Sequence, residues 1–273
     1  MKRIVTMQDI SCIGKCSLTV ALPILSAMGI ETAILPTAIL STHTMFKHFT
    51  FHDLTNEIEP ILSNWKKENF TFQAVYTGYL GSMEQLQIAS KLIEENKNAC
   101  IIVDPCMADS GKLYTGFTEQ FVKGMKQLTN KADIICPNIT EAFYLLDKPY
   151  HEDYTEQEIR DMLKDLCATG TKTAIITGVS FQKGKVGAYA YQSEKDTWHA
   201  YYTNEEPEHF HGTGDIWASC LTGGLVLGKP IEQAIQIACD FVKISIHKTL
   251  QEQNHNIYGV NFEQAIPELI QML

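Results

Sequence analysis

The strongest constraint on the fold is an alternation of short apolar runs with segments of helical periodicity, repeated along almost the whole chain. Residues 100–103 form a continuous apolar run, as a strand buried on both faces requires. Before it, residues 82–97 carry apolar side chains on one helical face. Repetition of this unit predicts an α/β fold with a mostly parallel central sheet covered by helices on both faces.

The same patterns predict the individual elements. Further strands are predicted at 3–7, 32–35, 72–77, 132–136 and 173–176, and further helices at 18–28, 58–65, 119–128, 159–166, 213–227, 231–249 and 262–273. Two alternating runs, 186–191 and 198–202, flank a polar turn and predict an antiparallel hairpin at one side of the sheet. No linker or internal repeat divides the chain, so we expect one domain over residues 1–273.

Charge and composition narrow the class of protein. The formal net charge is −10 and no block of Lys or Arg occurs, which argues against a nucleic-acid or membrane-surface partner. An anionic substrate would then be held by local donors or by a metal. The eight cysteines include no CxxC pair, which argues against a zinc site. Without a signal peptide or a membrane-length apolar run, we expect a soluble cytoplasmic protein with reduced thiols.

The segment 211–219, HGTGDIWAS, combines two glycines with a threonine and a carboxylate directly before a predicted helix. Gly212 and Gly214 allow a ligand to approach the main chain closely. Thr213 and Asp215 are residue types that cap helices, and the free N–H groups of a first helical turn attract anions. A carboxylate in such a place is explained if it handles a proton. The alternative is a helix cap with no further role.

Polar or glycine-rich residues follow several of the predicted strands. They are Asp104, Asn138, Thr177 and the loop 78–82. In parallel α/β sheets, ligands bind beyond the carboxyl ends of the strands, so this pattern predicts a site there. The structural alternatives are that Asp104-Pro105 only terminates a strand and that Asn138 and Glu141 form a helix cap.

Four further motifs join the segment 211–219 in a resemblance to a known family. HGTGDIWAS resembles the C-terminal signature of the ribokinase-like superfamily. The motifs at 41–44 (STHT), 77–82 (TGYLGS), 104–107 (DPCM) and 137–142 (PNITEA) are similar to those of its pyridoxal kinase branch. They occur in the family's order and span roughly residues 1–225, which is most of the chain.

This resemblance implies a three-layer αβα sandwich and a kinase. It also implies ATP and Mg²⁺ as cofactors, leaves open a monovalent cation such as K⁺, and predicts a homodimer. The expected reaction is phosphorylation of the 5′-hydroxymethyl group of pyridoxal, pyridoxamine or pyridoxine, which salvages these vitamin B6 forms as pyridoxal 5′-phosphate. Two alternatives stay open, namely a hydroxymethylpyrimidine/phosphomethylpyrimidine kinase of thiamin synthesis and a non-catalytic sensor of the vitamer.

The resemblance also assigns roles to residues. Asp215 matches the base that accepts the hydroxyl proton, while Gly212, Thr213 and Gly214 match the donors that neutralise the transferring phosphoryl group. Residues matching the ATP site are Asp104, Asn138, Glu141, Thr177 and Thr213. Residues matching the magnesium site and its waters are Asp104, Asp109 and Glu141.

On the acceptor side, Asp9, Ser11, Thr44 and Tyr79 match positions around the pyridine ring, together with Asp215. Asp9 departs from the Gln-Ser-His start common in this branch, because the chain reads Gln8-Asp9-Ile10-Ser11. Its carboxylate suits an amine or a protonated ring nitrogen, which leads us to expect good use of pyridoxamine or pyridoxine. Cys106 is interpreted as a buried or loop thiol.

Overall fold

The computed structural model describes residues 1–273 and has a nine-stranded central sheet. The order across this sheet is β11-β10-β9-β8-β5-β4-β1-β2-β3, and β6 and β7 form a separate hairpin. The strands are β1 Arg3–Ser11, β2 Glu31–Leu40, β3 Phe51–Asp53, β4 Ala74–Thr77, β5 Cys100–Val103, β6 Ala108–Asp109, β7 Lys112–Leu113, β8 Ile134–Ile135, β9 Thr173–Val179, β10 Lys185–Gln192 and β11 Thr197–Asn204.

The six strands from β2 to β9 in this order pair in parallel, and antiparallel strands occur only at the two sides. On one side β3 pairs antiparallel with β2, and on the other β9, β10 and β11 form an antiparallel ribbon. The predicted hairpin is therefore confirmed, as is the mostly parallel sheet. None of the helices has the length and hydropathy that a membrane span requires.

Helices cover both faces of the sheet. They are α1 Leu18–Ala27, α2 Thr55–Lys67, α3 Met83–Glu95, α4 Glu119–Thr129, α5 Ile139–Leu145, α6 Glu156–Ala168, α7 Thr213–Val226, α8 Ile231–Leu250 and α9 Phe262–Met272. One core of 34 buried residues lies between the sheet and α2 to α6, and a second of 33 lies between the sheet and α1, α7, α8 and α9. The two cores share the strands by alternation: Val75 points into the first and Tyr76 into the second. This is the expected three-layer sandwich.

The sequence patterns missed the shortest elements and misplaced some boundaries. The predicted strand 132–136 contains only the two-residue β8, while β1 and β2 extend to Ser11 and Leu40, beyond their predicted ends. β3 and the β6–β7 hairpin were not predicted, and α5 was anticipated only as the helix that a cap at Asn138 and Glu141 would begin. These elements have two, three or seven residues, which is too short for a periodic pattern to emerge.

Candidate active site

Polar residues gather at the carboxyl edge of the parallel strands, as their positions in the sequence predict. The N–H of Asp104 donates to the carbonyl of Thr77 at 2.9 Å, and the N–H of Thr177 donates to that of Pro137 at 2.9 Å. These bonds hold the ends of β4, β5, β8 and β9 beside one another. A cavity lies there, lined by Asp104, Cys106, Tyr114, Cys136, Asn138, Glu141, Thr177, Gly212, Gly214, Asp215 and Trp217.

The amino end of α7 forms one wall of this cavity. Gly212 is the N-cap and has φ +78°, a backbone conformation that favours glycine. A Cβ at this position would lie 1.8 Å from the backbone oxygen of Lys15, so no other residue fits. At Gly214, an added Cβ would have no atom within 4 Å, because this glycine faces open space.

The interpretation of Thr213 and Asp215 as capping side chains was wrong. No side chain caps α7. The Thr213 hydroxyl donates back to the carbonyl of Phe210 at 3.2 Å, and Asp215 lies inside the first turn. The N–H groups of this turn are therefore left for an anion, which the positive end of the helix dipole also attracts.

Asp215 is a buried carboxyl group beside these donors. The residue is 9% exposed, and its Oδ1 atom has no hydrogen-bond partner. Burial raises its pKa to about 7, and the charge of Asp9 adds to the rise, whereas hydrogen bonding from the Ser17 backbone opposes it. A carboxylate with a pKa near neutrality is a stronger proton acceptor than an ordinary aspartate.

Asp104 and Glu141 form the opposite, acidic part of the cavity. Burial raises the pKa of Asp104 well above its usual range, and the charges of Glu141 and Asp215 raise it further. Burial raises the pKa of Glu141 to about 8, against the opposing effect of backbone N–H donors. Carboxyl groups this close together and this buried need either protons or a cation.

Asn138 and Glu141 also form the cap that the structural alternative predicted. The side chain of Asn138 accepts from the Glu141 N–H at 2.9 Å, and Glu141 accepts from the Asn138 N–H at 2.9 Å. The Asn138 amide also donates to the carbonyl of Ala108 at 2.8 Å, and Glu141 accepts from the Met107 N–H at 3.0 Å. The pair therefore holds α5 against the β6 segment and lines the cavity at the same time.

The residues expected around magnesium are only partly brought together. Asp104 and Glu141 line the cavity, whereas Asp109 is exposed on β6 and accepts from the Ser110 N–H at 2.7 Å. No group of three His, Cys, Asp or Glu residues is arranged to hold a metal ion. Magnesium commonly binds through one or two carboxylates, with waters and substrate phosphates as its other ligands. Two buried acidic groups fit such an ion.

Of the four residues expected around the acceptor, Asp9 lies near Asp215, and Ser11 and Tyr79 lie near Asp9. Asp9 is buried where the register of β1 shifts, accepts from the Ser11 hydroxyl at 3.3 Å, and has its pKa raised by burial. Tyr79 stacks on Phe117, with ring centroids 5.5 Å apart, and burial and the charge of Asp9 raise its pKa to about 12. Thr44 is exposed in the loop after β2, and no hydrogen bond joins it to the others.

The sequence patterns missed Tyr114, Cys136 and Trp217 in the cavity wall. Trp217 carried a usable signal, because it belongs to the 211–219 motif. Tyr114 lies after the unpredicted hairpin, and nothing in the sequence pointed to it. Cys106 also lines the cavity, and burial and the charge of Asp104 raise its thiol pKa well above the usual range, so it is a weak nucleophile.

Comparison with known proteins agrees with this geometry. The family model described as phosphomethylpyrimidine kinase matches residues 22–261. The chain belongs to this family. It is a kinase of the ribokinase-like superfamily, so the resemblance to the pyridoxal kinases of that superfamily and the predicted fold are both confirmed.

Individual relatives divide between two substrates. A Bacteroides thetaiotaomicron protein described as a candidate phosphomethylpyrimidine kinase and crystallised with pyridoxal is 40% identical, with a TM-score of 0.94 over 98% of this chain and 95% of its own. Pyridoxal kinase from Lactobacillus plantarum is 29% identical, with a TM-score of 0.92 over 100% and 98%. Hydroxymethylpyrimidine/phosphomethylpyrimidine kinase of Haemophilus influenzae is 27% identical over 67% of this chain and 68% of its own.

Proposed function

We propose that this kinase transfers the γ-phosphoryl group of ATP to the 5′-hydroxymethyl group of vitamin B6 vitamers, and so salvages them as pyridoxal 5′-phosphate. The observation that carries the proposal is Asp215, a buried carboxyl group with a pKa raised to about 7, beside the uncapped amino end of α7. A proton acceptor and an anion site adjoin there. Phosphoryl transfer to an alcohol needs both.

In the proposed reaction, the hydroxymethyl oxygen attacks phosphorus as its bond to the leaving ADP breaks. Asp215 accepts the hydroxyl proton while the new bond forms, and ADP leaves with the bonding electron pair. The N–H groups of Gly212, Thr213 and Gly214 stabilise the charge on the transferring group. Positioning and charge stabilisation carry the acceleration, because the transition state has little covalent bonding to the protein.

On the nucleotide side, we assign Asp104 and Glu141 to magnesium and its waters, and Asn138 and Thr177 to the region of the ATP phosphates. The cation would neutralise the phosphate charge and relieve the repulsion between the two buried acids. Asp109 could contribute only if its loop moved, because its side chain is exposed outside the cavity. A monovalent cation such as K⁺ remains part of the proposal.

On the acceptor side, we assign Asp9, Ser11 and Tyr79 to the ring of the vitamer, with Thr44 closing over it from the β2 loop. The relative crystallised with pyridoxal supports a B6 acceptor. Asp9 is acidic and buried, and an amine or a protonated ring nitrogen would be a suitable partner for it.

A hydroxymethylpyrimidine acceptor is the second candidate, and the family model and the Haemophilus influenzae relative favour it. The chemistry at Asp215 would be the same, because both acceptors carry a hydroxymethyl group. A non-catalytic sensor is the third possibility. The presence of Asp215 beside an uncapped helix end and two acidic residues argues against a sensor.

One assay separates these candidates. Purified protein with Mg-ATP is tested against pyridoxal, pyridoxamine, pyridoxine, hydroxymethylpyrimidine and ribose. We expect turnover of the three vitamers with higher kcat/KM than that of hydroxymethylpyrimidine. The reverse order would establish the thiamin-pathway kinase, and tight vitamer binding without turnover would establish the sensor. Asp9→Asn tests the amine preference, which should weaken for pyridoxamine relative to pyridoxal.

The resemblance also supports two proposals about the whole molecule. We infer a homodimer, which light scattering at assay concentration tests, and a cytoplasmic location, which fractionation of the source cells tests.

A further inference from the structure

A row of buried oxygen atoms without hydrogen-bond partners lies beneath the cavity. Asp215, Ser219 and Thr222 are four and seven residues apart, so they share one face of α7. All three are buried, and each has an oxygen without a partner: Oδ1 of Asp215, Oγ of Ser219 and Oγ1 of Thr222. A buried polar atom left unpaired typically costs about 1–3 kcal/mol, so three in a row require an explanation.

The strand that faces this row adds a fourth such atom. Tyr76 lies on β4 between Thr6 of β1 and Ile102 of β5, and its side chain points toward α7. The residue is 0% exposed and its hydroxyl has no partner. Ser219 lies close enough to oppose the rise in the phenol pKa, although neither oxygen reaches full hydrogen-bond geometry.

We propose that Tyr76 and Ser219 are positioning residues that hold the buried Oδ1 of Asp215 from beneath during phosphoryl transfer. The inference rests on the proposed role of Asp215 as proton acceptor. The terminal torsion of an aspartate is only weakly fixed by its own rotamer preferences. A donor on the buried oxygen would therefore decide where the other oxygen points.

Chemistry allows only one direction for these bonds. An ionised carboxylate accepts and cannot donate, so the single hydroxyl proton of Ser219 must go to Asp215. Ser219 then accepts from Tyr76. The phenol has the proton for this bond, because burial and the charges of Asp104 and Asp215 hold its pKa well above the usual range and keep it protonated. Because none of the three oxygens has a hydrogen-bond partner at rest, the proposed chain from Tyr76 through Ser219 to Asp215 forms when small side-chain rotations bring them together during the reaction.

Steady-state kinetics of Tyr76→Phe, Ser219→Ala and the double variant test this chain. We expect each single variant to lose kcat by about 10-fold, with KM for ATP and acceptor within about twofold, because binding does not use the chain. The double variant should lose no more than the worse single variant, since either change interrupts the same chain. Tyr189→Phe is the control. Tyr189 is also buried, but its hydroxyl bonds to Glu156, and its kcat should stay at the wild-type value.

Melting temperatures of the same variants separate positioning from a structural role. If the two changes are coupled, their shifts should fail to add by at least about 2 °C. Additive shifts, or an unchanged kcat in Tyr76→Phe, would overturn the inference, as would a rise in KM that accompanies losses of kcat and stability. A wild type inactive on every acceptor would instead refute the proposed function. The melting cycle would still decide whether the contact exists, because it needs no turnover.

Discussion

The helices α5 and α7 begin at the same edge of the sheet, but only α5 has its amino end capped by side chains. α5 is closed by its own residues, because Asn138 and Glu141 exchange hydrogen bonds with each other's backbone. α7 has glycine as its N-cap and no capping side chain, so its donors are left open. The closed end stabilises the fold, and the open end can bind an anion. A helix start becomes a candidate site when its own sequence leaves it uncapped.

The acidic residues at the two helix ends, Glu141 and Asp215, also differ in how far their oxygens are occupied by hydrogen-bond donors. Each oxygen of Glu141 accepts at least one backbone N–H bond, whereas Oδ1 of Asp215 has no partner. Both carboxyl groups have raised pKa values because both are buried. Only Asp215 has a carboxyl oxygen that no backbone N–H occupies, and this is the oxygen that the proposed Tyr76–Ser219 chain would hold. We therefore propose that Asp215 on α7 accepts the hydroxyl proton of the substrate, and that Glu141 on α5 stabilises the fold and helps to hold the ligands.

The largest effect should come from Asp215→Asn. An amide cannot accept the hydroxyl proton as a carboxylate does, so we expect kcat to fall by about 10³-fold or more, with KM changing little. The measurement is steady-state turnover of the best vitamer. Thr177→Ala, on the nucleotide side, serves as the comparison and should mainly raise KM for ATP. Wild-type turnover in Asp215→Asn would exclude this residue as the base.

The next effect is a pH dependence of stability. The pKa of Asp215 is about 7 in the folded protein and 3.8 in the unfolded chain. Between these values the folded state keeps a proton that the unfolded state has lost. The contribution of protonated Asp215 to the free energy of unfolding is therefore fully present below about pH 4, and it is lost as the pH rises through 7.

Urea unfolding of wild type and Asp215→Asn from pH 4 to 8 measures this contribution. The advantage of the Asn variant in free energy of unfolding should grow with pH to at most about 4 kcal/mol, then stay level. Parallel pH profiles for the two proteins would contradict the raised pKa. Turnover should also rise as the pH passes through about 7, because the ionised form is the base.

The two glycines of α7 provide a matched pair of smaller effects. Gly212→Ala should lower the free energy of unfolding by at least about 2 kcal/mol, since φ is +78° and the new Cβ would collide with the backbone at Lys15. Gly214→Ala should change stability by less than about 1 kcal/mol and yet reduce kcat/KM for ATP by about 10-fold, because its methyl group enters the open space. Equal losses of stability in the two variants would show that position 214 is not open.

The smallest effects compare Asn138, the N-cap of α5, with Thr213, the first residue of α7. Asn138→Ala removes the cap of α5 and should cost about 1–2 kcal/mol of stability. Thr213→Ala removes a hydroxyl that only contacts the preceding loop, and should cost less than about 0.5 kcal/mol. Thermal unfolding of both variants is the measurement. A larger cost at Thr213 would reverse the contrast between the closed and open helix ends.

Sequence patterns alone determined the layers, the parallel sheet and the edge that carries the site. Apolar periodicity reports which side of an element is buried, and parallel strands bring their carboxyl ends to one edge. The positions of Asp104, Asn138 and Thr177 in the sequence are therefore enough to predict that these residues lie together, whereas Asp215 was added to them by the family resemblance. Short elements such as β3 and the β6–β7 hairpin were missed because a few residues contain no full period.

Only the tertiary structure decided what each polar side chain does at that edge. The sequence shows that Glu141 and Asp215 are acidic, but not that one is occupied by backbone donors and the other has a free oxygen. It does not separate Asp109, which is exposed, from Asp104, which is buried, and it contains no sign of Tyr76 beneath the base. Burial and hydrogen-bond partners come from residues far apart in the chain, and these set the pKa and the spare bonding capacity on which the chemistry depends.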